Sequence, residues 1–451
     1  MSDHHMGIVE RAAQIRTGRT TATEVVEDCL DAIARLDDDL NAFIIVSVDE
    51  ARAAARHADA EIAAGRDLGP LHGIPVSVKD IMDLRGLPTT AASRVLAGER
   101  ATADAPALAR LRQAGAIFVG KCNLHEFAFG TTGEVSAFGP TRHPHVPGHM
   151  PGGSSSGSAV SVAAGMALAS IGTDTGGSIR IPSAACGVVG LKPTFAELSC
   201  EGVVQLARTL DHVGPIGSTV ADVGLVYQAM RESGPQPRSA SRSVDRGGSV
   251  RLGLPRRYFL DLVDPAVHAS FGRAVERLQA AGCRIDEVDI PHADESAATY
   301  FHTVVKEGYE AHARLLDTRG ADYAPSVRER LELGRSVSDQ EYRDAQRTRT
   351  VLRREVDAAL DGRDALVLPT LPTPAPPSGT EQVTLGEVAM DVRTAALRLT
   401  QLFDLTGHPA LTIPSEPTAD GLPCGVQLVG AYGCTLELVE LGMVQEARIR
   451  G

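Results

Sequence analysis

The chain of 451 residues has room for one large α/β unit or several smaller domains, and its 43% hydrophobic and 22% charged residues give it a globular composition. No stretch approaches the ~20 apolar residues of a membrane helix. A net charge of −13 denies it the basic surface that a sequence-independent nucleic-acid binder needs.

In chain order, the first residues, MSDHHMG, lack an apolar leader, and seven scattered cysteines form no CxxC pair. Reduced, mostly buried thiols and a cytoplasmic location are expected. Residues 1–65 are expected to form a helical segment packed on a catalytic unit of residues 66–451. Within that segment Thr21 and Glu24 have capping-box spacing, with Val25, Val26, Cys29, Ile33 and Leu36 at helical period, and a second helix runs from about Val48 to Ala64. Gly73 to Ile81 reads as a strand with Ile74, Val76 and Val78 on one face and Ser77 and Lys79 on the other. A helix, Leu108 to Ala114, feeds a strand, Ala116 to Val119. The region from Gly130 to Gly190 is rich in Gly, Ser, Thr and Pro around an apolar, helix-like run, Ala159 to Ala169.

After a helix beyond Val220, residues 230–250 read as a linker. Arg251 to Leu254, Ala266 to Ala281 and Arg284 to Ile290 form a strand–helix–strand unit of the kind that builds parallel sheets. A long helical pair from about Tyr300 to Leu360 leads to the strand Ala365 to Pro369 and the loop PTLPTPAPPSG, which reads as a rigid connector or a polyproline ligand. Strands near Ala410 to Ile413 and Gly425 to Val429 precede a last helix, Thr435 to Arg448. The fold class is α/β.

The chemistry concentrates in two serine clusters whose key residues, Ser154 and Ser178, lie 24 positions apart. A serine hydroxyl is a weak nucleophile until a base takes its proton, and neither cluster contains histidine. A lysine kept neutral by burial can be that base, whereas a guanidinium stays protonated. The 44 basic residues include only four lysines, Lys79, Lys121, Lys192 and Lys306. Of these Lys79, in an apolar strand, is the natural candidate, with Lys121 and Lys192 as rivals and Lys306 a solvated charge. Gly176 and Gly177 before Ser178 let backbone N–H groups converge on a developing oxyanion. Asp174 and Arg180 have the spacing of a salt bridge that holds this turn.

The stretches GIPVSVKD, GKCNLHEFAFG, SAFGPTRHP, GGSSSGS, GTDTGGSIRIPSAACGVVGLKPT and GLPCGVQLVG occur in order across nearly the whole chain. Together they resemble the amidase signature family, hydrolases of amide carbon–nitrogen bonds. The resemblance implies a single large domain with a central mixed, mostly parallel sheet covered by helices on both faces. It implies a Ser–Ser–Lys triad of Ser178 as nucleophile, Ser154 as proton relay through a cis peptide, and Lys79 as base. It further implies an oxyanion hole of the Thr175, Gly176, Gly177 and Ser178 amides, with Ser155 in support. Ser156 stands where many members have glycine. Lys121 and Lys192 fall in stretches that are structural in that family.

His125, His143, His145 and His149 invite a metal reading, but HEFAF lacks the second histidine of HExxH. No metal or cofactor is expected. The loop from Gly130 to Phe138, with Gly130, Thr131 and Glu134, is expected to line the substrate channel. Arg349 is either a carboxylate clamp, as in some relatives, or a solvated arginine. The leading expectation is a cytoplasmic enzyme, possibly a homodimer, that hydrolyses the linear C–N bond of a small amide through an acyl-serine. The alternatives are the glutamine-hydrolysing component of a tRNA-dependent amidotransferase and a non-catalytic amide-binding protein.

Overall fold

A computed structural model describes residues 6–96, 98, 100–232 and 249–451, so most of the expected linker at 230–250 lies outside the described residues. The chain opens with α1 (Ile8–Arg16), α2 (Ala22–Leu40), β1 (Phe43–Val46) and α3 (Val48–Ala63). The expected capping box starts α2: Glu24 N–H donates to the Thr21 hydroxyl, and the Glu24 carboxylate accepts from Thr21 N–H. Next come β2 (Pro75–Lys79), α4 (Pro106–Gln113), β3 (Ile117–Cys122), α5 (Ser156–Ala163), β4 (Ala169–Asp174) and α6 (Arg180–Cys186). The apolar run Ala159 to Ala169 is thus not one helix. It holds the end of α5, a turn at Gly165 with φ +70°, and the first residue of β4.

The strands β5 (Val189–Lys192) and β6 (His212–Gly217) and helix α7 (Val220–Met230) precede the linker, and β7 (Arg251–Pro255), α8 (Pro265–Ala280) and β8 (Arg284–Val288) follow it. The expected helical pair is three helices: α9 (Ser296–Arg319), α10 (Pro325–Glu332) and α11 (Asp339–Leu360). Pro325 can start a helix but cannot continue one, and Ser338 caps α11 with Glu341, so the chain breaks at both places. The remainder is β9 (Ala365–Pro369), a hairpin of β10 (Gln382–Leu385) and β11 (Val388–Asp391), the short helices α12 (Val392–Leu397) and α13 (Gln401–Thr406), β12 (Ala410–Ser415), β13 (Cys424–Val429) and α14 (Thr435–Arg450).

Eleven strands form one mixed sheet in the order β1-β3-β2-β4-β6-β5-β12-β13-β9-β7-β8. Parallel pairing occupies two blocks, β3-β2-β4 and β9-β7-β8, where helices cross between strands. The central strands pair antiparallel, as does the edge pair of β1 and β3, so antiparallel neighbours number six against four parallel. The expected predominance of parallel pairs therefore holds only in the two blocks; the centre is antiparallel because connections such as the one between β12 and β13 are too short for a crossover. Because β1 pairs with β3, residues 1–65 contribute a strand to the same sheet rather than helices alone.

Helices cover both faces. Along β3, Ile117 and Val119 pack with Val26 of α2, Ala51 and Ala55 of α3 and Val160 of α5, while Phe118 packs in the other cluster with Leu108 of α4 and Val223 of α7. The strand β2 divides as its alternation requires: Val76 and Val78 join the α4 and α7 side, and the Ser77 hydroxyl lies 2.9 Å from that of Ser161 on α5. Lys79, two residues on, consequently faces the serine loops.

Candidate active site

Parallel neighbours β2 and β4 end at the same edge of the sheet, with Val78 opposite Ile171, and functional groups gather beyond such carboxyl ends. Lys79 closes β2, Thr173 and Asp174 close β4, Ser154 and Ser155 lead into α5, and Ser178 sits between β4 and α6. The three connections bring the two serine clusters together. Ser155 N–H donates to the Ser178 carbonyl at 3.2 Å, and the Ser155 hydroxyl donates to the Thr173 carbonyl at 3.1 Å. The Gly153–Ser154 peptide is cis.

The Lys79 amine has no exposure to solvent and lies 2.8 Å from both the Ser154 hydroxyl and the Thr173 hydroxyl. Burial lowers its pKa from 10.5 to about 7, against the opposing charges of Asp174 and Asp211. A neutral amine has two N–H donors and one lone pair. With Thr173 accepting one donor, the lone pair is free to take the proton of the Ser154 hydroxyl. Thr173 escapes a reading of the sequence because nothing in the spacing of GTDTGG distinguishes it from Thr175.

The turn between β4 and α6 is clamped from several sides. Gly177 has φ +140°, and a Cβ there would meet the Thr400 hydroxyl oxygen at 2.3 Å; Thr400 in turn donates to the Gly176 carbonyl at 2.6 Å. A Cβ at Gly176 would stand 2.4 Å from the Tyr300 hydroxyl. The Thr175 hydroxyl donates to Asp211 at 2.7 Å. The fully buried Arg180 guanidinium donates to Asp174 at 2.9 and 3.0 Å and to Asp404 at 2.5 Å. Asp174 also accepts from Ile179 N–H, so the salt bridge expected from spacing holds the backbone after Ser178. Asp211, Tyr300, Thr400 and Asp404 come from distant parts of the chain and carry no sequence signal.

The rival lysines have other partners. Lys121 pairs with Asp80 at 2.8 Å and donates to the carbonyls of Met82 and Pro88. Lys192 is also lowered to about 7 by burial, but its amine meets His212 at 3.2 Å and the Pro193 carbonyl at 3.1 Å rather than a serine hydroxyl. Lys306, expected to be solvated, is partly buried and pairs with Asp339 at 3.1 Å.

The loop residues differ in fate. The Thr131 hydroxyl is buried without a hydrogen-bond partner among the described residues, beside a small apolar pocket whose lining includes Gly152, Ile181, Pro374, Val392 and Ala396. Gly130 abuts His125, where a Cβ would come within 2.1 Å of the imidazole. Glu134 instead accepts from Gly379 N–H at 2.9 Å and pins the proline-rich loop, which also receives Met150 N–H at the Pro376 carbonyl. That loop is a packed connector.

Arg349 is not solvated: it donates to Thr209 at 2.8 Å through the hydroxyl and 2.6 Å through the carbonyl, and to the Leu405 carbonyl. Those bonds occupy the fork a substrate carboxylate would need. His143 and His145 donate to the carbonyls of Ala185 and Cys186 at 2.9 and 3.0 Å and anchor the end of α6. The seven cysteines are free thiols, five of them buried.

The model of the amidase family matches residues 24–435. A curated relative from Chloroflexus aurantiacus, the A-type component of glutamyl-tRNA(Gln) amidotransferase, is 38% identical over 95% of this chain and 93% of its own length. A crystal structure of an amidase superposes with a TM-score of 0.92 at 38% identity, covering 98% of this chain and all of its own. A structure of the vestigial protein complex that bears on the origins of an s-triazine catabolic enzyme gives 0.90 at 35%, covering 99% of each chain.

Proposed function

The chain belongs to the amidase family, and from that membership we propose that it hydrolyses a small amide to a carboxylate and ammonia or amine through an acyl-serine on Ser178. The observation that carries the reading is the buried Lys79 amine, 2.8 Å from the Ser154 hydroxyl and lowered to about 7. Neutral Lys79 takes the Ser154 proton as Ser154 takes that of Ser178, and the Ser178 oxygen forms a bond to the amide carbon. The carbonyl becomes an oxyanion facing the N–H groups of Thr175 to Ser178. Collapse breaks the C–N bond, and the proton held on Lys79 returns through Ser154 to the leaving nitrogen. Water then gives its proton to the same relay, attacks the ester carbon and releases the acid, restoring the Ser178 hydroxyl.

The orphaned Thr131 hydroxyl beside the apolar pocket supports a substrate site there. The reading takes a small-molecule amide as the ligand and a homodimer as the assembly. No helix among the described residues is long and apolar enough to cross a membrane. The test is ammonia release across a panel of amides, with Ser178→Ala as control; equal turnover by wild type and Ser178→Ala would reject the assignment.

A second reading rests on the 38% identity to an amidotransferase component: hydrolysis of glutamine inside a multi-protein assembly. It expects glutamine to be the preferred member of the panel and a partner protein to co-purify. A non-catalytic protein on the same fold would resist fluorophosphonate labelling of Ser178.

A further inference from the structure

Besides its burial, two carboxylates act on the Lys79 amine, and only one of them is neutralised. Asp174 holds the Arg180 guanidinium at 2.9 and 3.0 Å, whereas Asp211 forms no ion pair among the described residues. Asp211 is nonetheless buried, immediately before β6. Three donors hold its carboxylate: the Thr175 hydroxyl at 2.7 Å and the Leu206 and Ala207 N–H groups at 3.0 Å each. Burial pushes its pKa up to about 6 against those donors, so it is an anion at the pH where Lys79 turns neutral. Glu307 of α9 also acts on it and is itself held by Thr209 and Tyr342. The other titratable groups that feel its charge are the Cys200 thiol, which donates to the Asp211 carbonyl at 3.4 Å, and the Tyr300 phenol. Neither is a cation.

The register of the sheet aims this carboxylate. Asp174 pairs with His212 across the antiparallel neighbours β4 and β6, so one step further Thr175 stands opposite Asp211. Thr173 and Thr175 thereby flank Asp174 with different tasks: Thr173 accepts from Lys79, and Thr175 donates to Asp211. Of the four residues whose N–H groups face the oxyanion in the amidase reading, Gly176 and Gly177 have no side chain and Ser178 commits its own to the reaction. Thr175 is the residue through which a side-chain bond can fix the start of the turn. The proton transfer also creates a need for an anion: Lys79 becomes an ammonium in a place without water, which is costly unless a negative charge stands near. The charge of Asp174 is shared with Arg180, and that of Asp211 is not.

We propose that Asp211 is a positioning residue of the hydrolysis, tying Thr175 in place for the oxyanion and serving as the counter-charge of Lys79 while that amine holds the proton. The proposal rests on the amidase reading and adds a residue to its machinery.

The test follows fluorophosphonate labelling of Ser178 and kcat/KM for a turned-over amide between pH 5 and 9 in wild type, Asp211→Asn and Thr175→Val. An asparagine amide has the shape of the carboxylate: its oxygen accepts from Leu206 and Ala207 N–H and its NH2 donates to the Thr175 hydroxyl, so the charge goes and the tie stays. In Asp211→Asn the rise of both rates with pH should move down by about 1 pH unit, because the ammonium has lost its anion. The plateau should fall roughly 10-fold, because the base is weaker and its charged form unpaired. Thr175→Val keeps the carboxylate and cuts the tie, so its plateau should fall roughly 10- to 100-fold. A midpoint that Asp211→Asn leaves unmoved overturns the counter-charge: a purely structural Asp211 would alter unfolding and not the midpoint. A Thr175→Val plateau within about twofold of wild type overturns the positioning. If Asp211→Asn fails to fold, Asp211→Ser, smaller and equally neutral, reads the midpoint. Labelling with an unshifted midpoint overturns the role of Asp211 alone, whereas no labelling of wild type overturns the amidase reading and that role with it.

Discussion

The protonation of Lys79 sets a pH dependence that can be worked from its burial. Lowering its pKa from 10.5 to about 7 favours the neutral amine by about 5 kcal/mol relative to a lysine in water. The proposed relay needs the neutral form, so on that reading kcat/KM for any turned-over amide should rise with pH and level off above about 7. At pH 6 it should stand at about one-tenth of the plateau. Lys79→Arg, always charged, should lose roughly 100- to 10,000-fold at every pH.

The same burial has a cost in stability, with a definite sign. Between about pH 7 and 10.5 the unfolded chain carries a proton on Lys79 that the folded chain lacks, so this residue makes stability rise with pH across that window. Lys79→Met removes the dependence. Its urea stability relative to wild type should therefore be about 2–3 kcal/mol more favourable at pH 7 than at pH 9. Lys192 titrates alike in both proteins and cancels. A rate profile that is flat from pH 5 to 9, or a Lys79→Met difference independent of pH, would refute a neutral Lys79.

Two further perturbations address the turn that carries Ser178. Gly177→Ala forces a Cβ to within 2.3 Å of the Thr400 hydroxyl at a φ of +140°, so it should destabilise by about 1–3 kcal/mol and reduce turnover at least 100-fold, checked by thermal unfolding and ammonia release. Arg180→Met leaves Asp174 and Asp404 buried together without their cation, so a loss of about 3–5 kcal/mol is expected in urea unfolding; a loss below about 1 kcal/mol would mean the cluster does not hold the turn.

Much was written locally. The alternation of Val76, Ser77, Val78 and Lys79 settled which side chains of β2 meet the serine loops, because strand side chains point to opposite faces whatever the sheet does. The capping box at Thr21 and the salt bridge from Asp174 to Arg180 span a few residues, within reach of a spacing argument. The scarcity of lysine drew attention to four positions, and the inability of arginine to become neutral gave Lys79 its meaning.

What the sequence could not decide were pairings between distant segments. The direction of the central strands depends on which neighbours they find, so the one strand–helix–strand unit legible in the sequence located a parallel pair, β7 and β8, and left the antiparallel centre undetermined. Thr400, 222 positions after Ser178, holds the Gly176 carbonyl, and Arg349 spends its fork on Thr209 and Leu405 rather than on solvent or a ligand. Residue type and spacing determined the chemistry available to this chain; long-range packing decided which of those groups lose their water and their partners, and desolvation is what turns an ordinary lysine into a base.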